Sequence, residues 1–294
     1  MIEKRKMPAG LVMAGGLLAI VCLVLFAFQD MSISNKLYNP ESLFGLAFES
    51  FGFWPAVLAI PVGGAVWCAQ RGMKEKKIMG FLILLLGYAG LWYKTLDELM
   101  ENGAIKEISY IWLAILCIVF IAGTFFMVNQ LGRTTLARLA FVCEVGAVYF
   151  IVYNLIGGSI KLLWGRWRYF EMLELGNFDK FSPWYIPQGI NMHTSFPSGH
   201  VMSSCGIFLI LLYICSKANT KRMQQIYTAI GCSVYVLCMA VSRIVMGRHF
   251  ASDTIVGMLI AAFVYAIILY SKRYRKWFYY CRDNLDKVRM REAK

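Results

Sequence analysis

The sequence predicts an all-α polytopic membrane helix bundle, and three observations carry that class. Hydrophobic residues make up 59% of the 294-residue chain and charged residues 16%, against roughly half and about a quarter in soluble domains. The apolar residues gather into about eight runs, each near the roughly 20 residues a helix needs to cross a hydrocarbon core. Between the runs, basic loops alternate with loops that hold most of the acidic residues. Helices rather than open sheet are expected, because lipid leaves a sheet edge unsatisfied.

The first run, 10–28, follows Lys4, Arg5 and Lys6 as a secretory signal would. It is membrane-length and lacks a small-residue cleavage site, so it reads as an anchor that stays. Runs 51–70 and 78–95 are joined by Arg71, Lys74, Lys76 and Lys77, and runs 109–131 and 137–158 by Arg133 and Arg138. Runs 199–216 and 226–245 are joined by Lys217, Lys221 and Arg222, and a basic tail, 272–294, follows the last run, 254–271. These segments hold 21 of the 30 Lys and Arg, whereas the opposite loops hold eleven of the 17 acidic residues. The positive-inside rule then puts both termini in the cytoplasm and turns 29–50, 96–108, 159–198 and 243–253 outward. The net charge of +13 is thus read as the topology of a multi-pass plasma-membrane protein. The expected partner is the lipid bilayer and not nucleic acid.

Other features have ordinary readings. The nine cysteines form no CxxC and avoid the outward loops, so they read as small apolar filler. Trp54, Trp92, Trp112, Trp164, Trp167 and Trp184 fall near the outward interface as an aromatic belt would. Trp184, Tyr185 and Ile186 are expected to be loop packing rather than a cover for a site. His193 has no histidine or carboxylate at metal-ligand spacing, so no metal site and no cofactor is expected. Glu144 lies inside a run, toward its cytoplasmic end and about 25 Å of helix from Lys161, and reads as a buried polar contact.

The polar residues that need another explanation form three clusters: KLLWGRWRY (Lys161–Tyr169), SFPSGH (Ser195–His200) and SRIVMGRHFASD (Ser242–Asp253). Lys and Arg beside a span are usually interfacial anchors, and PSGH could merely start a helix. Yet the topology brings all three clusters to one membrane face, where Lys161, Arg166, Arg168, Ser198, Gly199, His200, Arg243, Arg248, His249 and Asp253 can share one pocket. Cationic side chains and a helix start suit phosphate. His249 and Asp253 stand four apart, so on one helix face the carboxylate would take the imidazole Nδ1 proton and leave Nε2 free. That makes His249 the expected nucleophile and His200 the expected acid and base, with Lys161, Arg168 and Arg243 holding the phosphoryl oxygens.

The order K-x6-R, PSGH, SR-x5-H-x3-D, here Lys161–Arg168, Pro197–His200 and Ser242–Asp253, resembles the signature motifs of the type 2 phosphatidic acid phosphatase superfamily. The resemblance covers roughly 137–271. It implies that Lys161, Arg168, Ser198, Gly199 and Arg243 bind phosphate, that His249 is the nucleophile with Asp253 its partner, and that His200 is the acid. It also implies a six-helix phosphatase core, 76–271, preceded by an added helix pair, 1–75. Tyr169 stands where the first motif usually has proline, which bears on loop shape more than on charge.

The expected activity is metal-independent hydrolysis of a membrane lipid phosphate or diphosphate, of the polyprenyl diphosphate, phosphatidate or phosphatidylglycerol phosphate type, through a phosphohistidine at an extracytoplasmic site. The same histidine pair would serve a phosphoryl transferase. A lipid-phosphate binder or transporter is the remaining alternative, although transporter sites usually lie at the midplane between repeats.

Overall fold

The computed structural model describes residues 9–70 and 74–285. Among them it is all helical, and seven stretches are long and apolar enough to cross a membrane: Met13–Leu37, Leu43–Ala69, Lys74–Glu101, Tyr110–Asn129, Arg133–Leu175, Arg222–Val245 and Ala251–Tyr270. The expected run 199–216 is present as a shorter apolar helix, Gly199–Cys215. Lys4, Arg5, Lys6, Arg71 and residues 286–294 of the basic tail lie outside the described residues.

The first two stretches differ from the expected runs. Helix α1 (Ala9–Leu37) continues nine residues past the run that ends at Phe28, and α2 (Leu43–Phe51) begins within the segment expected as a loop. Both extensions are polar on a buried side: Asp30, Ser34, Glu49 and Ser50 are all buried. Hydropathy alone ends a span at such residues, but packing against other helices keeps them helical. After a break at Gly52 and Phe53 the chain resumes as α3 (Trp54–Val57) and α4 (Ala59–Ala69), with Pro55 in the first turn of α3, where its missing N–H costs nothing.

The remaining helices are α5 (Lys74–Glu101), α6 (Tyr110–Asn129), α7 (Arg133–Trp164), α8 (Tyr169–Leu175), α9 (Gly199–Ser204), α10 (Phe208–Cys215), α11 (Arg222–Val245), α12 (Ala251–Tyr270) and α13 (Lys272–Asp283). Apart from α8, which packs through Tyr169 and Met172 in a smaller cluster with Phe250, two large buried clusters hold them. One joins α7, α9, α10, α11, α12 and α13 through Tyr149, Met202, Leu209, Met239, Val264 and Cys281. The other joins α4, α5 and α6 through Val66, Leu84, Tyr88, Leu91 and Cys117. Helix α4 bridges the two by packing on both α5 and α7, while α1 lies along α12 and α2 along α11. The outward faces of α1 and α6 leave side chains such as Phe28, Leu17, Ile118 and Phe126 exposed, as an apolar solvent permits.

Helices α9 and α10 are one apolar helix tightened by a 3-10 turn at Cys205–Ile207. The turn lies where the helix crosses α3 closely: a Cβ on Gly206 would lie 2.3 Å from the Ala56 backbone nitrogen. Glu144 is engaged by Arg273 and by the Tyr274 hydroxyl (3.2 Å), which ties α7 to α13 at the end away from the clusters. Trp184 is bound into the loop packing expected of it, donating from Nε1 to the Leu23 carbonyl (2.9 Å) and accepting at its own carbonyl from Trp164 (2.6 Å). All nine cysteines are unpaired.

Candidate active site

Lys161 stands in the last turn of α7, which ends because Gly165 adopts a left-handed φ of 56°. A side chain there would strike the Gly189 carbonyl oxygen at 2.2 Å, so glycine lets the chain reverse and carry Arg166 and Arg168 back over the bundle. Arg168 caps α8, and its backbone N–H donates to Glu171 Oε2 (2.8 Å). Tyr169 is therefore the first residue of a helix, a position that suits proline but does not need it. Its ring packs on Tyr38, centroids 5.2 Å apart, beyond the end of α1.

The second cluster closes over the first. The Lys161 ammonium donates to the Thr194 carbonyl (2.9 Å) and Arg168 Nη2 to the Thr194 hydroxyl (3.1 Å), so both cations converge on one residue before the SFPSGH stretch. Ser198 caps α9, accepting from Val201 N–H (3.5 Å), and its own N–H reaches the Asp253 carbonyl (3.1 Å). Lys161 Nζ lies 3.9 Å from the position a Cβ of Gly199 would take, which sets the ammonium beside the glycine backbone.

The third cluster differs from the pairing its spacing suggests. Helix α12 begins only at Ala251, so His249 precedes it and shares no helical face with Asp253. Nδ1 of His249 is 3.8 Å from Asp253 Oδ2, too far for a hydrogen bond, and donates instead to the Ser195 carbonyl at 2.5 Å. Asp253 acts at one remove. Its Oδ2 accepts from the Ser195 hydroxyl (2.6 Å) and from Phe250 N–H (2.9 Å), while Oδ1 accepts from Arg166. The carboxylate thus fixes the serine that fixes the histidine. Because a carbonyl can only accept, Nδ1 carries the proton and Nε2 keeps its lone pair. The tautomer is the expected one, reached through a different partner.

Burial and the charges of Lys161, Arg168, Arg243 and His200 push the His249 imidazole well below its usual range. That direction favours the neutral ring. These four side chains come from all three clusters.

Three carboxylates absent from the expected set enter from other helices. Asp30 of α1 accepts from Ser252 N–H (3.1 Å), from Arg166 Nη2 (3.0 Å) and from the Ser252 hydroxyl. Glu49 of α2 lies between Arg243 Nη2 (2.9 Å) and Arg248 Nε (3.0 Å). Glu98 of α5 stands 3.3 Å from His200 Nε2. Their sequence signal was only that acidic residues crowd this side of the chain; nothing paired them with a particular base. His193 stacks on Trp167 and meets Glu171 Oε2 at 3.0 Å, a structural contact. Among the described residues no cluster of three or more His, Cys, Asp or Glu is arranged to hold a metal ion.

Two histidines stand among lysine and arginine at one end of an apolar helical bundle, a set of side chains whose chemistry suits a phosphoryl group. Residues 141–277, a little under half of the chain, match the family model of the PAP2 superfamily. Over 145 residues it is 23% identical to phosphatidylglycerophosphatase B of Bacillus subtilis (strain 168), covering 48% of this chain and 70% of that protein. No solved structure matches the chain.

Proposed function

We propose that this lipid phosphatase hydrolyses a lipid phosphate monoester or diphosphate by forming a phosphohistidine on His249, with His200 as acid and then base. The observation that carries the reading is the hydrogen bond from His249 Nδ1 to the Ser195 carbonyl, which leaves an unprotonated Nε2 directed by a buried, saturated network. Lys161, Arg168, Arg243 and the Ser198–Gly199 helix start would hold the phosphoryl oxygens and take up charge as it develops.

The side on which the lipid lies follows from His200. Its ring lines a cavity of about 590 Å³ whose walls include Phe53, Val57, Ile60, Leu86 and Leu91. An apolar chain in that cleft puts the leaving oxygen toward His200 and the phosphorus toward His249, which suits one histidine for protonation and the other for attack. Polyprenyl diphosphate, phosphatidate and phosphatidylglycerol phosphate all present such a head and chain. The charge distribution of the loops favours an extracytoplasmic site in the plasma membrane, with both termini cytoplasmic.

The test is release of inorganic phosphate from a panel of these lipids by purified protein in detergent. Full turnover is expected in the presence of EDTA, since Lys161, Arg168 and Arg243 supply the positive charge. With nitrophenyl phosphate, which needs little protonation to leave, His200→Ala should accumulate a phosphohistidine that is stable to alkali and labile to acid. His249→Ala should show none. A dependence on added divalent metal, or a label that persists in His249→Ala, refutes the mechanism.

A further inference from the structure

Glu98 lies on α5, outside the segment that matches the superfamily. Its carboxylate is 4% exposed and sits between two bases: Lys94 Nζ one turn earlier on the same helix at 2.8 Å, and His200 Nε2 at 3.3 Å. The histidine contact is a charge contact whose alignment falls short of a hydrogen bond. The His200 ring is held from another side by Phe53, whose ring stands perpendicular to it at 5.7 Å between centroids. Nδ1 makes no hydrogen bond to any described residue. Lys94 also reaches Asp97 at 3.2 Å, so the chain of charges Asp97, Lys94, Glu98, His200 runs from the helix surface to the site.

This arrangement answers a problem within the proposed mechanism. His200 must be protonated when substrate arrives, yet burial of the ring and the charge of Arg243 disfavour an imidazolium there. A buried carboxylate beside Nε2 works against both. We propose that Glu98 is the positioning residue of His200, stabilising its imidazolium through Nε2–H and leaving Nδ1 as the nitrogen that passes the proton. As His249 Nε2 bonds to phosphorus, the bond from phosphorus to the lipid oxygen breaks and that oxygen takes the Nδ1 proton. In the second half a water oxygen bonds to phosphorus, its proton returns to Nδ1, and the N–P bond breaks. Both histidines are regenerated, and Glu98 keeps its charge throughout.

The inference rests on the phosphatase reading, and its test separates the two. In Glu98→Gln the imidazolium loses its counter-charge, so the basic limb of the pH profile for a lipid phosphate should move to lower pH. Turnover at pH 7.5 should fall by about 10²-fold, the low end of what a general acid contributes. With nitrophenyl phosphate, whose good leaving group needs little protonation, the first step, read as the burst of nitrophenol, should stay within a few-fold of wild type. Glu98→Asp should restore part of the limb. Lys94→Gln removes the competing cation and should move the limb the opposite way, to higher pH, which keeps the idea testable if Glu98→Gln does not fold. Equal losses on both substrates with an unmoved limb, or a Lys94→Gln limb that stays in place, overturn the assignment of Glu98. A wild-type protein that releases no phosphate overturns the reading beneath it instead.

Discussion

Replacing Arg166 by methionine should leave two buried carboxylates without their shared cation. Every nitrogen of the guanidinium donates: Nε to the Ser182 carbonyl (2.9 Å), Nη1 to the Ser252 hydroxyl (2.9 Å) and to Asp253, and Nη2 to Asp30 (3.0 Å). It also lies over the Phe250 ring, 4.3 Å from the centroid. Removing one partner of a buried ion pair costs about 3–5 kcal/mol. Methionine fills much of the same space, but the arginine stem already packs there, so little of that loss is recovered by new apolar burial. A net destabilisation of about 3 kcal/mol or more is expected. Asp30→Asn alone should cost about 1.5–3 kcal/mol, the worth of a hydrogen bond to a charged group. In the double variant one of the two stranded charges is gone, so the combined cost should fall below the sum of the singles by roughly 0.5–3 kcal/mol. Unfolding by SDS in mixed micelles, followed by helix signal and by retained phosphatase activity, measures all four corners of the cycle. Strict additivity, or an Arg166→Met protein within about 1 kcal/mol of wild type, refutes the claim that Arg166 is the electrostatic centre of this network.

The Glu49→Gln variant removes the anion that competes for Arg243 and Arg248, so vanadate, which mimics five-coordinate phosphorus, should inhibit about tenfold more tightly while the protein loses stability; unchanged inhibition would show that Glu49 does not compete with phosphate. For sidedness, with native cysteines replaced, Asn177→Cys should react with an impermeant thiol reagent in intact cells and Asn219→Cys should not. The reverse pattern would turn the site inward and remove outer-leaflet lipids as substrates.

Much of the helical class was legible because apolar runs of membrane length leave little alternative. The motif residues were legible because lysine, arginine and histidine at the ends of such runs are costly unless they act together. What escaped was pairing between distant helices. Asp30, Glu49 and Glu98 read only as acidic residues near span ends, since nothing local says which base each will meet. The parts of α1 and α2 that hydropathy left out, up to Leu37 and from Leu43, carry Asp30 and Glu49, so the helix limits were missed at the same places. The His249–Asp253 spacing was informative but incomplete. It suggested one helical face, whereas Asp253 is held in the first turn of α12 by Phe250 N–H and reaches the histidine through Ser195.

The arginines show why the pairing matters for chemistry. Arg166 and Arg243 are both buried and both face carboxylates, so charge and burial alone do not tell which one would take substrate. Hydrogen bonding does. Every nitrogen of Arg166 already donates to an acceptor, and a phosphate could be bound there only by dismantling the network that orients His249. Arg243 Nε has no hydrogen-bond partner, its Nη2 meets Glu49 out of alignment, and Arg168 Nε is likewise unpartnered among the described residues. Buried donors left in that state are costly to the protein, and an entering phosphate would satisfy them. The same reasoning divides the incoming carboxylates. Asp30 completes a closed structural network and should tolerate no exchange, whereas Glu49 holds its arginines loosely enough for a phosphate with two or more acceptor oxygens to share or displace it.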